Sequence, residues 1–390
     1  MTSDPLWTEG VQQFFTDHWA KAMQTFAQAA PGANPGAGAA VPPAVQFDAA
    51  RLQQLQQQYI EQASKLWSAG VGATPPVPKD KRFAGEGWTK NPLAAFTAAA
   101  YMLNAQALTG MAEAVQADEK TRQRIRFAVD QWVAAMSPSN FLALNPDAQQ
   151  KAIETKGESL SRGLQNMLQD MAKGYVSMTD ESVFEVGKNV ATTEGAVVYE
   201  NDIFQLIEYK PLTSKVYERP FLLVPPCINK FYILDLQPEN SFIRYAVSQG
   251  HRTFVISWRN PDASCAHLTW DDYIERAVIE AINVVQEITE AEQINALGFC
   301  VGGTMLATAL AVLAARDQHP VASATFLTTL LDFTDTGILD VFIDEAFVQS
   351  RELQMGKGGL LKGQELAATF SFLLPNDLVW NYVVGNYLKG

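Results

Sequence analysis

The stretch INALGFCVGGTMLATALAVLAA, residues 294–315, decides the fold. Its first six residues form a short apolar run bounded by turn signals, which reads as a buried strand. From Val301 onward the chain is apolar and rich in Ala and Leu, good helix formers. Between the two lies Gly298-Phe299-Cys300-Val301-Gly302-Gly303. This is the spacing of a nucleophile elbow, G-x-S-x-G, with cysteine in the serine position. The central residue of such an elbow sits in a strained turn, so side chains two positions either side would meet neighbouring backbone. Gly298 and Gly302 remove that obstacle, and Gly303 is expected to let the helix approach the sheet. Cys300 then stands at a helix N-terminus, where partial positive charge favours a thiolate over a thiol of pKa ~8.5. The Val301 N–H points to where an oxyanion would form. A buried, unreactive cysteine is the competing reading.

The surroundings of this stretch repeat its logic. Strand-like runs occur at Val183–Val186, Ala196–Tyr199, Ile203–Tyr209, Phe221–Val224, Thr253–Trp258, Ile294–Phe299 and Val321–Leu327. Helix-length segments lie between several of them, at Glu239–Gln249, Trp270–Thr289 and Val301–Ala315. Strands alternating with helices, several of them continuously apolar, predict a mainly parallel sheet covered on both faces. The second oxyanion donor of such a fold comes from the loop after its third strand, here Pro225-Pro226-Cys227-Ile228-Asn229. Neither proline carries an N–H. The donor therefore lies among Cys227, Ile228 and Asn229, with Ile228 favoured. A cysteine nucleophile acting on a thioester keeps the acyl group activated for transfer to an alcohol. That chemistry suggests acyl transfer from a thioester rather than plain ester hydrolysis.

The first half of the chain reads as helical. Segments are expected at Pro5–Ala30, Phe47–Ala69, 93–117, 119–135 and 147–173, with Pro/Gly-rich linkers near 31–46 and 70–82. The expected organisation is a helical N-terminal domain over 1–180, the first part of an α/β core over 181–330, and the start of a cap over 331–390. Composition narrows the function. Acidic residues outnumber basic ones 42 to 29, a net charge of −13 over 390 residues. That balance argues against nucleic acid and against electrostatic docking on anionic lipid. The longest apolar stretch, Val301–Ala315, is too short to span a bilayer. The N-terminus MTSDPLW shows no secretory pattern. Three scattered cysteines suit a reducing cytoplasm and neither a disulfide framework nor a zinc site.

Several stretches together resemble the class I polyhydroxyalkanoate synthases. They are FLLVPPCINKFYILDLQPENSFIRYAVSQGH (221–251), FVISWRNPD (254–262), GFCVGGT (298–304), TTLLDFTDTGILDVFIDE (328–345) and AATFSFLLPNDLVWNYVVGNYLKG (367–390). GWTKNPL (87–93) and SPSNFLALNP (137–146) resemble the family's helical N-terminal domain. The resemblance implies a cytoplasmic, granule-associated homodimer of α/β-hydrolase fold. It would polymerise (R)-3-hydroxyacyl-CoA, most often 3-hydroxybutyryl-CoA, onto a growing polyester chain and release CoA without metal or organic cofactor. It also implies that Cys300 bears the acyl group while Val301 and Ile228 supply oxyanion N–H groups. The family's catalytic Asp and His lie beyond the point where this sequence stops. Crippled catalysis and an unpaired sheet edge are therefore expected of these residues alone. His319 reads as a surface residue, and Asp332, Asp335, Asp340, Asp344 and Asp377 as capping or solvated positions. A Cys-dependent thioesterase or lactone hydrolase, and a non-catalytic dimerisation or granule-binding partner, are the competing functions.

Overall fold

The computed structural model describes residues 46–69 and 79–390. The expected Pro5–Ala30 helix, the first linker and most of the second lie outside these residues. The chain divides into two compact units. One comprises the described residues before Asp180 together with 338–350 and 364–390, and the other comprises 180–337 with 351–363.

The first unit is helical because its segments carry their own start signals. Helix α1 covers Ala49–Ala69, α2 Pro92–Glu113, α3 Glu119–Ala135, α4 Pro146–Glu154 and α5 Glu158–Lys173. Asn91 opens α2 by accepting from the Leu93 and Ala94 amides at 3.0 and 3.2 Å, with Pro92 behind it. Asp118 and Asn145 do the same for α3 and α4. Such caps satisfy amides that a helix cannot pair internally, and each is worth about 1 kcal/mol. Two small cores form, one of Phe83, Trp88, Ala94 and Ala98, the other of Ala112, Val115, Ile125 and Val129. Part of the expected linker at 70–82 is thus structured. Lys81–Phe83 is a 3-10 turn with Phe83 fully buried, and the Arg82 guanidinium grips Asp80 at 2.8 Å. The single helix expected over 147–173 is two helices. Lys156 and Gly157 take φ of 51° and 87°, and glycine at the second position makes that break inexpensive.

Helix α5 packs inside out. Ser159, Gly163 and Asp170 are buried, whereas Leu164, Leu168 and Met171 are 53, 55 and 71% exposed. The inward face meets the last turns of the chain, Val384–Leu388. Tyr387 donates its hydroxyl to Asp170 at 2.7 Å and Asn166 donates to the Asn386 carbonyl at 3.0 Å. A Cβ at Gly163 would lie 2.1 Å from the Tyr387 carbonyl oxygen, so only glycine admits this approach.

The second unit is a six-stranded sheet: β1 Gly195–Glu200, β2 Phe204–Tyr209, β3 Phe221–Val224, β4 Thr253–Trp258, β5 Ile294–Phe299 and β6 Val321–Leu327, in the order β1-β2-β4-β3-β5-β6. β1 and β2 are antiparallel, and the four strands β4, β3, β5 and β6 run parallel. This matches the helical-then-α/β expectation. Alternation places Leu222, Val224, Phe254, Ile256 and Ala296 in one core and Leu223, Val255 and Leu297 in another. Both faces of β3, β4 and β5 are covered, which explains their unbroken apolar runs, whereas the outer strands β1 and β6 are largely exposed. Helix α6, Phe242–Ser248, lies on one face. Helix α7, Glu280–Thr289, and α8, Val301–Ala315, lie on the other. The segment expected as a helix over 270–289 is helical throughout, an α-helical turn at Trp270–Tyr273 and a π stretch at Ile274–Ile279 leading into α7.

Val183–Val186 is not a strand. Glu181–Val183 forms a 3-10 turn capped by Asp180, and the Asn189 side chain bonds to the Glu185 amide and the Val183 carbonyl. Those side-chain bonds replace the ladder that β-branched residues would otherwise favour. After α8 the chain turns through Asp317, forms β6, and continues into α9, Glu345–Met355, and α10, Gly363–Leu373.

Candidate active site

The turn between β5 and α8 has the shape its glycines required. Cys300 adopts φ 52° and ψ −124°, a conformation few L-residues accept, and serves as the N-cap of α8. The turn is held by hydrogen bonds. The Cys300 amide donates to the Leu327 carbonyl at 2.9 Å, and the Cys300 carbonyl accepts from Gly303 and Thr304 at 2.9 and 3.2 Å. A Cβ on Gly298 would lie 2.3 Å from the Gly303 Cα, and one on Gly302 would lie 2.1 Å from the Val224 carbonyl oxygen. A Cβ on Gly303 would lie 2.0 Å from the Thr329 hydroxyl, in the loop that follows β6 rather than in the sheet itself.

Cys300 is half-buried, and its thiol makes no hydrogen bond among the described residues. The Val301 N–H is at the first position of α8 and has no intrahelical acceptor, as the geometry of every helix start dictates. Strand β3 sits beside β5, with Val224 opposite Gly298. The loop leaving β3 therefore starts next to the elbow. Within it the Asn229 amide donates to the Pro226 carbonyl at 3.2 Å, closing a turn over Pro226–Asn229. In such a turn the amides of the two central residues, here Cys227 and Ile228, are not used by the turn itself. Asn229, one of three candidates from sequence, is thus committed elsewhere. The Ile228 side chain is 47% exposed. Burial pushes the Cys227 thiol up, and the nearby Cys300 adds to the effect.

Two residues with no assigned part in the sequence reading hold this region. The Trp258 indole N–H donates to the Pro225 carbonyl at 2.8 Å in a buried bond. Asp235, 1% exposed, accepts from the Thr193 hydroxyl at 2.7 Å and from the Thr193 amide at 3.3 Å, and also from the Ser241 hydroxyl. Its place inside the apolar run FYILDL was a usable signal, since a carboxylate there must find donors. The partner of Trp258 carried none, being 33 residues away in sequence.

The remaining candidates stand apart from the elbow. His319 is exposed at the opposite end of α8, 3.6 Å from Asp317. Asp332, Asp335 and Asp344 each cap a backbone amide, and Asp340 pairs with Lys120 at 3.0 Å. His251 is wedged between the rings of Tyr217 and Phe221. Among the described residues, no group of three or more His, Cys, Asp or Glu could hold a metal, and no helix is long and apolar enough to cross a membrane.

Comparison with known proteins agrees with this arrangement. Residues 79–246 match the family described as the poly-beta-hydroxybutyrate polymerase N-terminus, and residues 220–388 match the α/β-hydrolase fold. The chain is 61% identical over 369 residues to the poly(3-hydroxyalkanoate) polymerase subunit of Cupriavidus necator, covering 92% of this chain and 62% of that one. It is 43% identical over 320 residues to the poly(3-hydroxyalkanoate) polymerase of Methylorubrum extorquens, covering 81% and 53%. With the Rhizobium meliloti polymerase subunit it shares 41% over 316 residues, covering 80% and 52%. The chain thus spans less than two thirds of the length of each of these relatives. A helical first part, a hydrolase-type sheet with its elbow, and this extent of identity lead to one assignment: the chain belongs to the poly(3-hydroxyalkanoate) polymerase family.

Proposed function

We propose that Cys300 is the acyl-carrying nucleophile of an acyltransferase that polymerises (R)-3-hydroxyacyl-CoA, 3-hydroxybutyryl-CoA foremost, into polyester and releases CoA. The observation that carries the proposal is the Cys300 turn, with its positive φ, its thiol without a hydrogen bond among the described residues, and the Val301 amide beside it. The thiolate attacks the thioester carbonyl, and the charge that develops on oxygen is met by the Val301 N–H and, from the Pro226–Asn229 turn, by Ile228. Preorganised donors of this kind are each worth about 10²–10³ in rate. The acid and histidine that would move protons are proposed to lie outside these 390 residues, as the family resemblance implies for a chain that covers 62% of the Cupriavidus relative. The enzyme is further proposed to act in the cytoplasm as a homodimer on the granule surface, without metal or organic cofactor.

Iodoacetamide tests the nucleophile. Cys300 is expected to alkylate faster at neutral pH than Cys265, and equal labelling of the two removes the assignment. In a full-length form Cys300→Ala should abolish CoA release. Release of free 3-hydroxy acid with no polymer would assign the site to a thioesterase instead.

A further inference from the structure

The Pro225 carbonyl sits between two elements of the site. On one side the Trp258 indole N–H holds it at 2.8 Å. On the other it faces the first turn of α8, where a Cβ on Gly302 would lie 2.6 Å from its oxygen. Trp258 is itself fixed. It ends β4, pairs with Phe204 of β2, is 9% exposed and packs its ring 5.8 Å from that of Tyr273. Pro226 follows with φ locked near about −65°, so the orientation of the 225 peptide passes with little slack into the turn that presents the Cys227 and Ile228 amides.

We infer that Trp258 is a positioning residue for acyl transfer: its indole N–H sets the peptide plane from which the second oxyanion donor is aimed. The inference rests on the acyl-transfer reading above. A merely structural indole, satisfied by whichever carbonyl lies near, would affect stability and leave reactivity toward different electrophiles unchanged.

Two reactions of the same sulfur separate these cases. In acylation the Cys300 thiolate attacks the carbonyl carbon of 3-hydroxybutyryl-CoA and a C–S bond forms. Negative charge gathers on the carbonyl oxygen, and then the bond to the CoA sulfur breaks. The expelled CoA thiolate takes up the proton that Cys300 gave away. Alkylation by iodoacetamide displaces iodide at a saturated carbon and builds no oxyanion. The experiment follows both in a full-length form, by intact mass and by released CoA thiol. Trp258→Phe is expected to slow Cys300 acylation about 10- to 100-fold, a part of the loss seen when an oxyanion donor is removed outright. Alkylation should stay within about twofold, because no donor is needed for it. Acylation at the unsubstituted rate, or an equal fall in both reactions, overturns the inference. If Trp258→Phe does not fold, 3-benzothienylalanine at position 258 keeps the ring shape and replaces the N–H by sulfur, and the same comparison decides. Absence of acylation in the unsubstituted full-length form overturns the acyl-transfer reading itself, a separate and recognisable result.

Discussion

Gly302→Ala tests whether the elbow is as tightly enclosed as its geometry states. The added Cβ would lie 2.1 Å from the Val224 carbonyl oxygen and 2.6 Å from that of Pro225, where ordinary contact begins at 3.4 Å. The shortfall is 3.4 − 2.1 = 1.3 Å, and it falls on backbone rather than on a side chain that could turn away. β3 cannot retreat easily, because it is bonded to β4 on one side and β5 on the other. Overpacking of this kind costs about 1–3 kcal/mol, and the immobility of the obstacle places this case near about 3 kcal/mol. For a unit of this size that lowers Tm by about 6–12 °C. Relief by a ~1 Å shift of the first turn of α8 would also displace the Val301 amide, and such misplacement costs about 10² in rate. Calorimetry or denaturant melting gives the first quantity, and Cys300 acylation the second. Gly363→Ala is the control. No atom lies within 4 Å of its added Cβ at the start of α10. The substitution should be neutral or stabilising by about 0.5 kcal/mol. A Gly302→Ala protein melting within about 2 °C of the original, at about the original acylation rate, would refute the claim of close approach.

Other outcomes follow from the same contacts. Asp235→Ala strands the Thr193 amide and two hydroxyls in a buried setting and should cost about 3 kcal/mol, with Asp235→Asn costing less because it keeps an acceptor. Burial works against ionisation of Asp170, but the Ser177 hydroxyl and amide, the Tyr387 hydroxyl and nearby Lys173 hold its carboxyl below the usual carboxylate range. That stabilisation is therefore in place at neutral pH and is lost as the pH falls through the folded-state value. The stability gap between the original chain and Asp170→Asn should shrink between about pH 5 and pH 3, and a constant gap in melts across that window would contradict it. Gly163→Ala, whose Cβ would press on the Tyr387 carbonyl at 2.1 Å, should loosen the last turns of the chain and raise hydrogen exchange at Asn386 and Tyr387.

What could be read in advance depended on whether the deciding physics was local. The bounds of α8 were legible to the residue, because Gly302-Gly303 and an uninterrupted apolar run leave one place for the turn. The parallel strands β3, β4 and β5 were legible because burial on both faces makes them apolar throughout, whereas β6 is largely exposed. Val183–Val186 misled because Asp180 and Asn189, just outside the apolar run, captured its backbone. The break at Lys156-Gly157 was overlooked although Gly157 was its visible sign. At the site, Cys300 and its glycines follow from spacing alone. The hold of Trp258 on Pro225, and the settling of Asn229 into a turn, arise only when strands distant in sequence are placed side by side.

The buried face of α5 has a consequence for how the polypeptide matures. Asn166 and Asp170 find their partners, Asn386 and Tyr387, 220 and 217 residues further along the chain. Domains ordinarily complete themselves in the order in which a ribosome delivers them. Here the strands of the sheet, all within residues 195–327, emerge before the helical unit has received its closing segment. The helical unit, though begun earlier, is then completed only after the strands of the sheet have emerged, and during that interval Ser159, Gly163 and Asp170 face water. A nascent chain halted shortly after β6 should already protect its sheet from proteolysis while α5 remains open to cleavage.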